Sequence, residues 1–192
     1  SEQQKFEYHV VNSFKKYIHQ KYNQKIRFRW IRTDSYENVL RAVENDPVGA
    51  FGAANFSITD ERKKRVDFLS PHFPDIMVLV SNVNIPVAQT SKEFEENASY
   101  LKNAITIQGT TFEKSIKQLE DTLNTTFNFN YVNNGAEMVE SISNDPTGFG
   151  YVPLTILLSS INNKSQIRRQ FFYTVKLEGL AMIQTKNSKW SK

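Results

Sequence analysis

The stretch GAANFSITDERKKRVDFLSPHF, from Gly52 to Phe73, carries most of the structural information in this chain of 192 residues. Small apolar residues over 48–54 predict a buried parallel strand. Short hydrogen-bonding side chains follow the predicted strand end at Asn55, Ser57 and Thr59. Residues 59–62 then predict the first turn of a short helix. Because ligands of open α/β sheets bind beyond the carboxyl ends of strands, this segment predicts a binding site.

Arg62 is the strongest candidate in that segment. Its guanidinium can hold both oxygens of a carboxylate, and backbone N–H groups at the start of a helix add further donors. The alternative is that the four cations from Arg62 to Arg65 form a solvated helix face. We adopt that alternative for Lys63 and Lys64, and we predict that Arg62 anchors an anion.

Helical and strand patterns alternate along the whole chain. The predicted helices are 7–22, 34–45, 110–123, 136–143 and 154–161. The predicted strands are 26–31, 48–54, 76–80, 104–108, 127–132, 148–152, 171–174 and 179–184. Asp34 with Glu37, and Thr110 with Glu113, have the spacing of helix capping boxes. The alternation predicts an α/β fold with parallel-rich sheets flanked by helices.

Two features predict a division into two lobes. The strand–helix–strand pattern is twice interrupted by Asn-Asp-Pro, at 45–47 and at 144–146, and a polar, Asn-rich segment crosses between the halves at 81–88. We expect a discontinuous first lobe, 1–83 plus 176–192, and a second lobe, 84–175.

Composition and motifs argue against several classes of function. The net charge is +4, but no RNP, zinc-finger or helix-turn-helix pattern accompanies the basic residues, so we expect no nucleic acid partner. The absence of cysteine excludes disulfides and thiol catalysis. No apolar run is long enough to span a membrane. No nucleophile elbow, metalloprotease or nucleotide-binding motif occurs. We therefore predict no metal, no cofactor and no catalytic residues.

Three segments resemble bacterial periplasmic solute-binding proteins of the polar amino-acid type, known as family 3. The long segment 57–73 is similar to the family signature, and the shorter segments 6–14 and 108–111 are similar to the entrance of its first helix and to a turn in its second lobe. The resemblance implies a two-lobed, type II Venus-flytrap fold, with an amino acid held in a cleft between the lobes. It also implies export, with a signal sequence removed.

The resemblance implies a role for seven residues. Arg62, in the family's T-x-E-R motif, matches the arginine that holds the ligand carboxylate. Asn55 and Ser57 match contacts just before it, and Tyr36 matches an aromatic residue that stacks on the ligand. In the family, the N-terminus of a second-lobe helix also contacts the ligand carboxylate. Thr111 matches that position, with Thr110 and Gln108 nearby. For Thr110, simple helix capping with Glu113 is the alternative.

The chain departs from the family at three places. The family has an N-terminal strand before the position of Phe6, and a closing helix after that of Trp190. Its second-lobe aspartate, which binds the ligand ammonium, falls near 151–153, where this chain has Tyr-Val-Pro. This chain therefore has residues that match the family's contacts to the ligand carboxylate, but none that matches its contact to the ligand ammonium.

The resulting functional hypothesis is extracytoplasmic binding of a small carboxylate-bearing solute, an amino acid or analogue, by lobe closure. The protein would be a monomer that serves an ABC permease, or a sensor covalently attached to a signalling domain. One alternative is a cyclohexadienyl-dehydratase-like enzyme on the same scaffold, which would need an acid in the cleft. Another is a degenerate regulatory module of a cell-wall lytic or signalling protein.

Overall fold

The computed structural model describes residues 2–160 and 166–188. The helices are α1 (Glu2–Tyr22), α2 (Tyr36–Glu44), α3 (Asp60–Arg65), α4 (Ser91–Glu96), α5 (Thr111–Leu123), α6 (Gly135–Asn144) and α7 (Leu154–Ser160), with a 3-10 turn at Ala98–Tyr100. The strands are β1 (Phe51–Ser57), β2 (Val66–Phe68), β3 (Ile76–Asn82), β4 (Asn103–Thr106), β5 (Asn128–Tyr131), β6 (Gly148–Pro153), β7 (Ile167–Lys176) and β8 (Leu180–Thr185). Among these residues, no helix has both the length and the apolar composition needed to cross a bilayer.

The first of two compact units comprises Ser1–Phe56, Asp60–Ser70 and Ala181–Lys192. Its three-stranded sheet has the order β1-β8-β2, and β2 pairs antiparallel with β8. Within the described part of this unit, one cluster of buried apolar side chains comes from α2 and the sheet: Leu40, Val43, Phe56, Val66 and Ile183. Helix α2 therefore packs on this sheet through Leu40 and Val43.

The second unit comprises Ser57–Thr59 and Pro71–Leu180. Its five-stranded sheet has the order β5-β4-β6-β3-β7. β4 pairs parallel with β5 and β6, whereas β3 pairs antiparallel with β6 and β7. Apolar clusters pack on both faces of the sheet, one including α5 and the other α6 and α7. β3 is the most buried strand, with Met77 to Val80 fully inaccessible.

The predicted α/β class is confirmed, but the sheets are mixed rather than mainly parallel. The difference arises because β3, β7 and β8 run against their neighbours, and strand direction depends on tertiary contacts that the alternation of elements does not encode. The strand 76–82 belongs to the second unit, since it pairs with β6 and β7. The predicted lobe boundaries remain a prediction.

The predicted strand at 26–31 is wrong, because this segment has no strand pairing. Its two aromatic residues contact α1 instead. The Trp30 ring stacks on Tyr8 with centroids 6.1 Å apart, and the Phe28 ring lies 6.4 Å from Phe14. The period-two pattern therefore comes from an extended segment that packs against a helix.

Two boundaries also differ from the prediction. Helix α2 is capped by Ser35, whose Oγ accepts from the Asn38 N–H, and Asp34 instead accepts from the Asn38 side-chain amide at 2.6 Å. β1 begins at Phe51 rather than at 48, because Asp46 accepts from the backbone N–H groups of residues 48 and 49 and holds a turn there. The remaining predicted helices and strands are found within a few residues; position 161 lies outside the described residues.

Candidate functional site

Phe56 organises two of the predicted residues in the first unit. Its ring is buried, and the Tyr36 ring meets it edge-on with centroids 5.6 Å apart. The Arg62 guanidinium carbon lies 5.7 Å from the centre of the same ring, within the range of a cation–π contact. Tyr36 is the first residue of α2, and Arg62 lies in the six-residue helix α3. One buried ring therefore holds both side chains.

The sequence analysis missed Phe56. A signal was present, since Phe56 is the apolar residue between polar Asn55 and Ser57 in an alternating strand. Side chains on a strand point to alternate faces, so Asn55 and Ser57 lie on the face opposite Phe56. Asn55 is half-buried and lies within β1, not beyond its end as predicted.

Ser57 and Thr111 are brought together in the second unit. The two hydroxyl oxygens are 3.2 Å apart, although the residues are 54 positions apart in sequence. Both are nearly buried, at 6% and 9% exposure. The Thr111 hydroxyl also lies 3.6 Å from the sulfur of Met77 on β3. Thr111 is the first residue of α5, so this hydroxyl pair lies at the N-terminus of a 13-residue helix.

Thr110 occupies the N-cap position of α5 but does not cap it through its side chain. Its hydroxyl donates to the Ile107 carbonyl at 2.6 Å. Glu113 does not reach back to Thr110, as the capping-box alternative required; its carboxylate accepts from the Gly109 N–H at 2.8 Å. Gly109 has φ of 73°, a conformation that glycine adopts without strain. Gln108 is exposed in the same turn.

Glu113 ties that turn to the neighbouring strand. Besides Gly109, its carboxylate accepts from the Lys117 ammonium at 2.7 Å and from the Tyr131 hydroxyl at 3.1 Å. Partial burial tends to raise the pKa of this carboxyl, but the hydrogen bonds from Lys117, Gly109 and Tyr131 outweigh it and lower the pKa. Glu113 is therefore ionised at neutral pH and holds the turn before Thr111 in place.

Two other cations of α3, Arg65 and Lys63, have carboxylate partners. Arg65 donates to Glu44 at 2.7 Å and to Glu37 at 3.1 Å, which joins α3 to α2. Lys63 lies 3.5 Å from the exposed carboxylate of Asp60. Arg65 is thus a structural residue that joins two helices, whereas Arg62 contacts Phe56. The run of four cations in the sequence did not reveal this difference.

The end of β6 carries no acidic side chain that could meet an ammonium group. No acidic residue occurs from Gly148 through Ser160, a range that includes the position where the family has its aspartate. In the described ranges 2–160 and 166–188, no group of three acidic, histidine or cysteine side chains is placed to hold a metal ion.

Comparison with known proteins places this chain through its structure. No family model matches the sequence, and no curated protein matches it. An ancestral arginine-binding protein bound to arginine superposes with a TM-score of 0.65 at 18% identity, over 92% of this chain and 74% of that one. The arginine-, lysine-, histidine-binding protein ArtJ from Geobacillus stearothermophilus gives 0.64 at 14% identity, over 90% and 70%.

A third solved structure is a ligand-binding core. The GluR0 ligand-binding core from Nostoc punctiforme, in complex with L-glutamate, superposes with a TM-score of 0.61 at 16% identity, over 86% of this chain and 72% of that one. At these identities the likeness establishes the fold, and it agrees with the resemblance found in the sequence. The chain shares its α/β fold with these amino-acid-binding proteins.

Proposed function

We propose that this protein binds a small carboxylate-bearing solute, an amino acid or an analogue, outside the cytoplasm. The observation that carries the proposal is the buried hydroxyl pair of Ser57 and Thr111 at the first turn of α5. The first backbone N–H groups of a helix have no partner within the helix, and the helix dipole is positive there. Two hydroxyls beside such N–H groups form a suitable receptor for a carboxylate.

Arg62 is proposed as the second carboxylate contact. Its side chain is only partly exposed, and its contact with Phe56 limits the orientations that the guanidinium can take. A restrained guanidinium loses less conformational entropy when it binds a planar anion. In this proposal Arg62 supplies the charge, and Ser57 and Thr111 supply neutral hydrogen bonds.

The remaining predicted residues have supporting roles in the proposal. Tyr36 stacks on the ligand, Asn55 hydrogen bonds to it, and Thr110 and Gln108 line the turn before α5. Binding shifts an equilibrium between an open and a closed arrangement of the two lobes. The solved structures support this proposal because their names include arginine, lysine, histidine and L-glutamate as ligands.

The proposed biological setting is uptake or sensing. The protein would be an exported monomer that delivers its ligand to an ABC permease, or the sensor domain of a larger signalling protein. The first setting is supported by similarity in fold to an amino acid ABC transporter substrate-binding protein from Streptococcus pneumoniae bound to L-arginine. The length of the complete gene product and its flanking domains distinguish the two.

A thermal-shift screen tests the proposal with L-arginine, L-lysine, L-histidine, L-glutamine, L-glutamate and succinate. A ligand present at 100 times its Kd raises the stability by about 2.7 kcal/mol, which a melting curve resolves. Succinate has no ammonium group, so a melting shift with succinate would show that binding does not require an amine. Failure of every compound to shift the melting temperature contradicts the proposal.

The variant Arg62→Ala tests the anchor, with Lys64→Ala as its matched control from the same helix. We expect Arg62→Ala to weaken binding of the ligand found in the screen by at least about 2 kcal/mol, as for loss of a charge-assisted hydrogen bond. Isothermal titration measures both. Equal affinities for the two variants would show that Arg62 is not the anchor.

A further inference from the structure

Helix α1 and the segment that follows it carry a long run of positive charge. Between Tyr8 and Thr33 the sequence contains seven lysines and arginines and no acidic residue. These cations are Lys15, Lys16, Lys21, Lys25, Arg27, Arg29 and Arg32, and all are exposed. Among residues 2–160 and 166–188, none of them forms an ion pair with a carboxylate.

Two aromatic contacts hold the segment 23–33 against α1, so the charges of both lie in one region of the first unit. Trp30 stacks on Tyr8 near the start of the helix, and Phe28 packs on Phe14 one to two turns further along. We call α1 together with residues 23–33 the cationic–aromatic surface. It lies entirely within the first unit.

Apolar groups are exposed on this surface among the cations. Phe28 and Trp30 contact α1, whereas Arg27, Arg29 and Ile31 are exposed to solvent. Ile31 is 64% exposed, and Trp30 keeps 55% of its surface accessible. The exposed part of the segment therefore combines guanidinium groups with an aliphatic side chain.

A second cluster on α1 also combines a cation with exposed aromatic rings. The Lys21 ammonium lies 5.2 Å from the ring centres of both Tyr17 and Tyr22, and it donates to the Tyr17 hydroxyl at 2.7 Å. Tyr17 and Tyr22 are 48% and 54% exposed. Tyrosine, tryptophan and lysine with an extended apolar stem are the side chains enriched at the boundary between lipid headgroups and acyl chains.

The net positive charge of this surface favours an anionic partner, and the exposed apolar groups favour one with an apolar layer beneath its charges. An anionic phospholipid surface has both properties. A single-stranded nucleic acid would instead need aromatic faces free for base stacking. The Trp30 and Phe28 rings contact Tyr8 and Phe14, and the Lys21 ammonium lies over the rings of both Tyr17 and Tyr22. Ile31, between Arg29 and Arg32, is aliphatic.

We propose that the cationic–aromatic surface docks the protein on an anionic phospholipid bilayer. The docking is peripheral: phosphate headgroups meet the lysines and arginines, while Ile31, Trp30 and the tyrosines enter the headgroup layer. This inference does not depend on which solute the protein binds, or on whether it binds one.

The test uses the full chain with Trp190→Phe, so that Trp30 is the sole tryptophan. Vesicles of phosphatidylcholine alone are compared with vesicles of equal parts phosphatidylcholine and phosphatidylglycerol. We expect sedimentation with the anionic vesicles only, a blue shift of Trp30 emission, and release as salt is added. Equal binding to both vesicle types, or binding that does not respond to salt, overturns the proposal.

A charge-matched pair of variants locates the surface. The triple Lys25→Glu, Arg27→Glu, Arg29→Glu reverses three charges within it. The control triple Lys64→Glu, Lys102→Glu, Lys176→Glu reverses three exposed lysines elsewhere and changes the net charge equally. We expect the first to lower the vesicle partition coefficient by at least about a hundredfold, since each cation near the membrane contributes about fivefold. An equal loss in both triples overturns the proposal.

Two further measurements keep the test decisive. If the charge-reversed triple does not melt cooperatively, Ile31→Ser replaces it, and loss of the Trp30 blue shift in that variant supports insertion of the apolar groups. A single-stranded oligonucleotide is titrated in parallel. Tight oligonucleotide binding without vesicle binding overturns the proposal in favour of nucleic acid recognition.

Discussion

A single side chain, Phe56, illustrates how residue-scale packing organises the candidate site. Its buried ring contacts both the Tyr36 ring and the Arg62 guanidinium, so that two predicted ligand contacts depend on one core residue. Arg62 therefore differs from the cations beside it through its contact with this ring, not through its position in the basic run.

Gly150 provides a residue-scale prediction about stability. A Cβ at this position on β6 would overlap the carbonyl oxygen of Ile105, which is backbone and cannot rotate away. We expect Gly150→Ala to lower the free energy of unfolding by about 1–3 kcal/mol through overpacking. The control is Gly135→Ala in α6, where the Cβ meets only flexible Ile156 side-chain atoms at 3.3 Å.

Gly135→Ala also gains helix propensity, so its change should stay within about 1 kcal/mol of zero. Urea denaturation of the two variants measures the difference. Comparable stability of Gly150→Ala and the unsubstituted protein would contradict the close approach of β6 to the Ile105 carbonyl.

At the scale of elements, α3 is joined to α2 by Arg65, which bonds to Glu37 and Glu44. Burial tends to raise the pKa of Glu37, but the hydrogen bonds from Arg65 and Arg41 outweigh it and lower the pKa. For Glu44, the hydrogen bond from Arg65 is the largest cause and lowers the pKa. The position of α3, and of Arg62 within it, therefore depends on two ionised carboxylates.

This ion-pair cluster predicts a pH-dependent stability. Because both folded-state pKa values lie below the ordinary value of 4.5, the ionised carboxylates stabilise the folded state above that pH. The stabilisation is lost as the pH falls through the folded-state pKa values. Arg65→Met should lower the urea midpoint at neutral pH, and its difference from the unsubstituted protein should shrink below pH 4.5.

Lys64→Met is the control for Arg65→Met, since Lys64 is an exposed cation in the same helix. We expect its effect on the urea midpoint to be small at every pH. A difference for Arg65→Met that stays constant through the acidic range would show that packing of its side chain, and not the ion pairs, accounts for the loss.

At the scale of the whole molecule, burial is unevenly distributed. In β3, Met77 to Val80 are fully inaccessible between β6 and β7, whereas residues 23–33 have no strand pairing and are mostly exposed. Local opening costs least free energy where buried contacts and backbone hydrogen bonds are few. The two regions should therefore differ widely in local stability.

Hydrogen exchange followed by mass spectrometry checks this prediction. Peptides from β3 should exchange slowest, and peptides from residues 26–31 should exchange at the shortest labelling time. Protection of 26–31 equal to that of β1 would restore the strand that the alternating sequence predicted, and would contradict its packing on α1.

Much of the fold could be predicted because local signals determine it. Hydrophobic periodicity and helix breakers located α2, α5, α6 and β6 within a few residues. The segment 26–31 misled because alternation records only that one side is buried, and α1 serves for that burial as well as a strand would. Similarly, Thr110 and Glu113 have the spacing of a capping box, but the Glu113 carboxylate accepts from the Gly109 N–H and not from that of Thr110.

By itself, the sequence determined the α/β class, the helix that contains Arg62, and the lack of an acid at the end of β6. These three features depend on residue types and on spacings of a few positions, and both can be read from the sequence. Tertiary structure alone decided the mixed strand directions, the Phe56 contacts, the meeting of Ser57 with Thr111, and the joining of α1 to residues 23–33. Each depends on which distant segments fold together, because contacts between residues far apart in sequence arise from packing and not from local propensity.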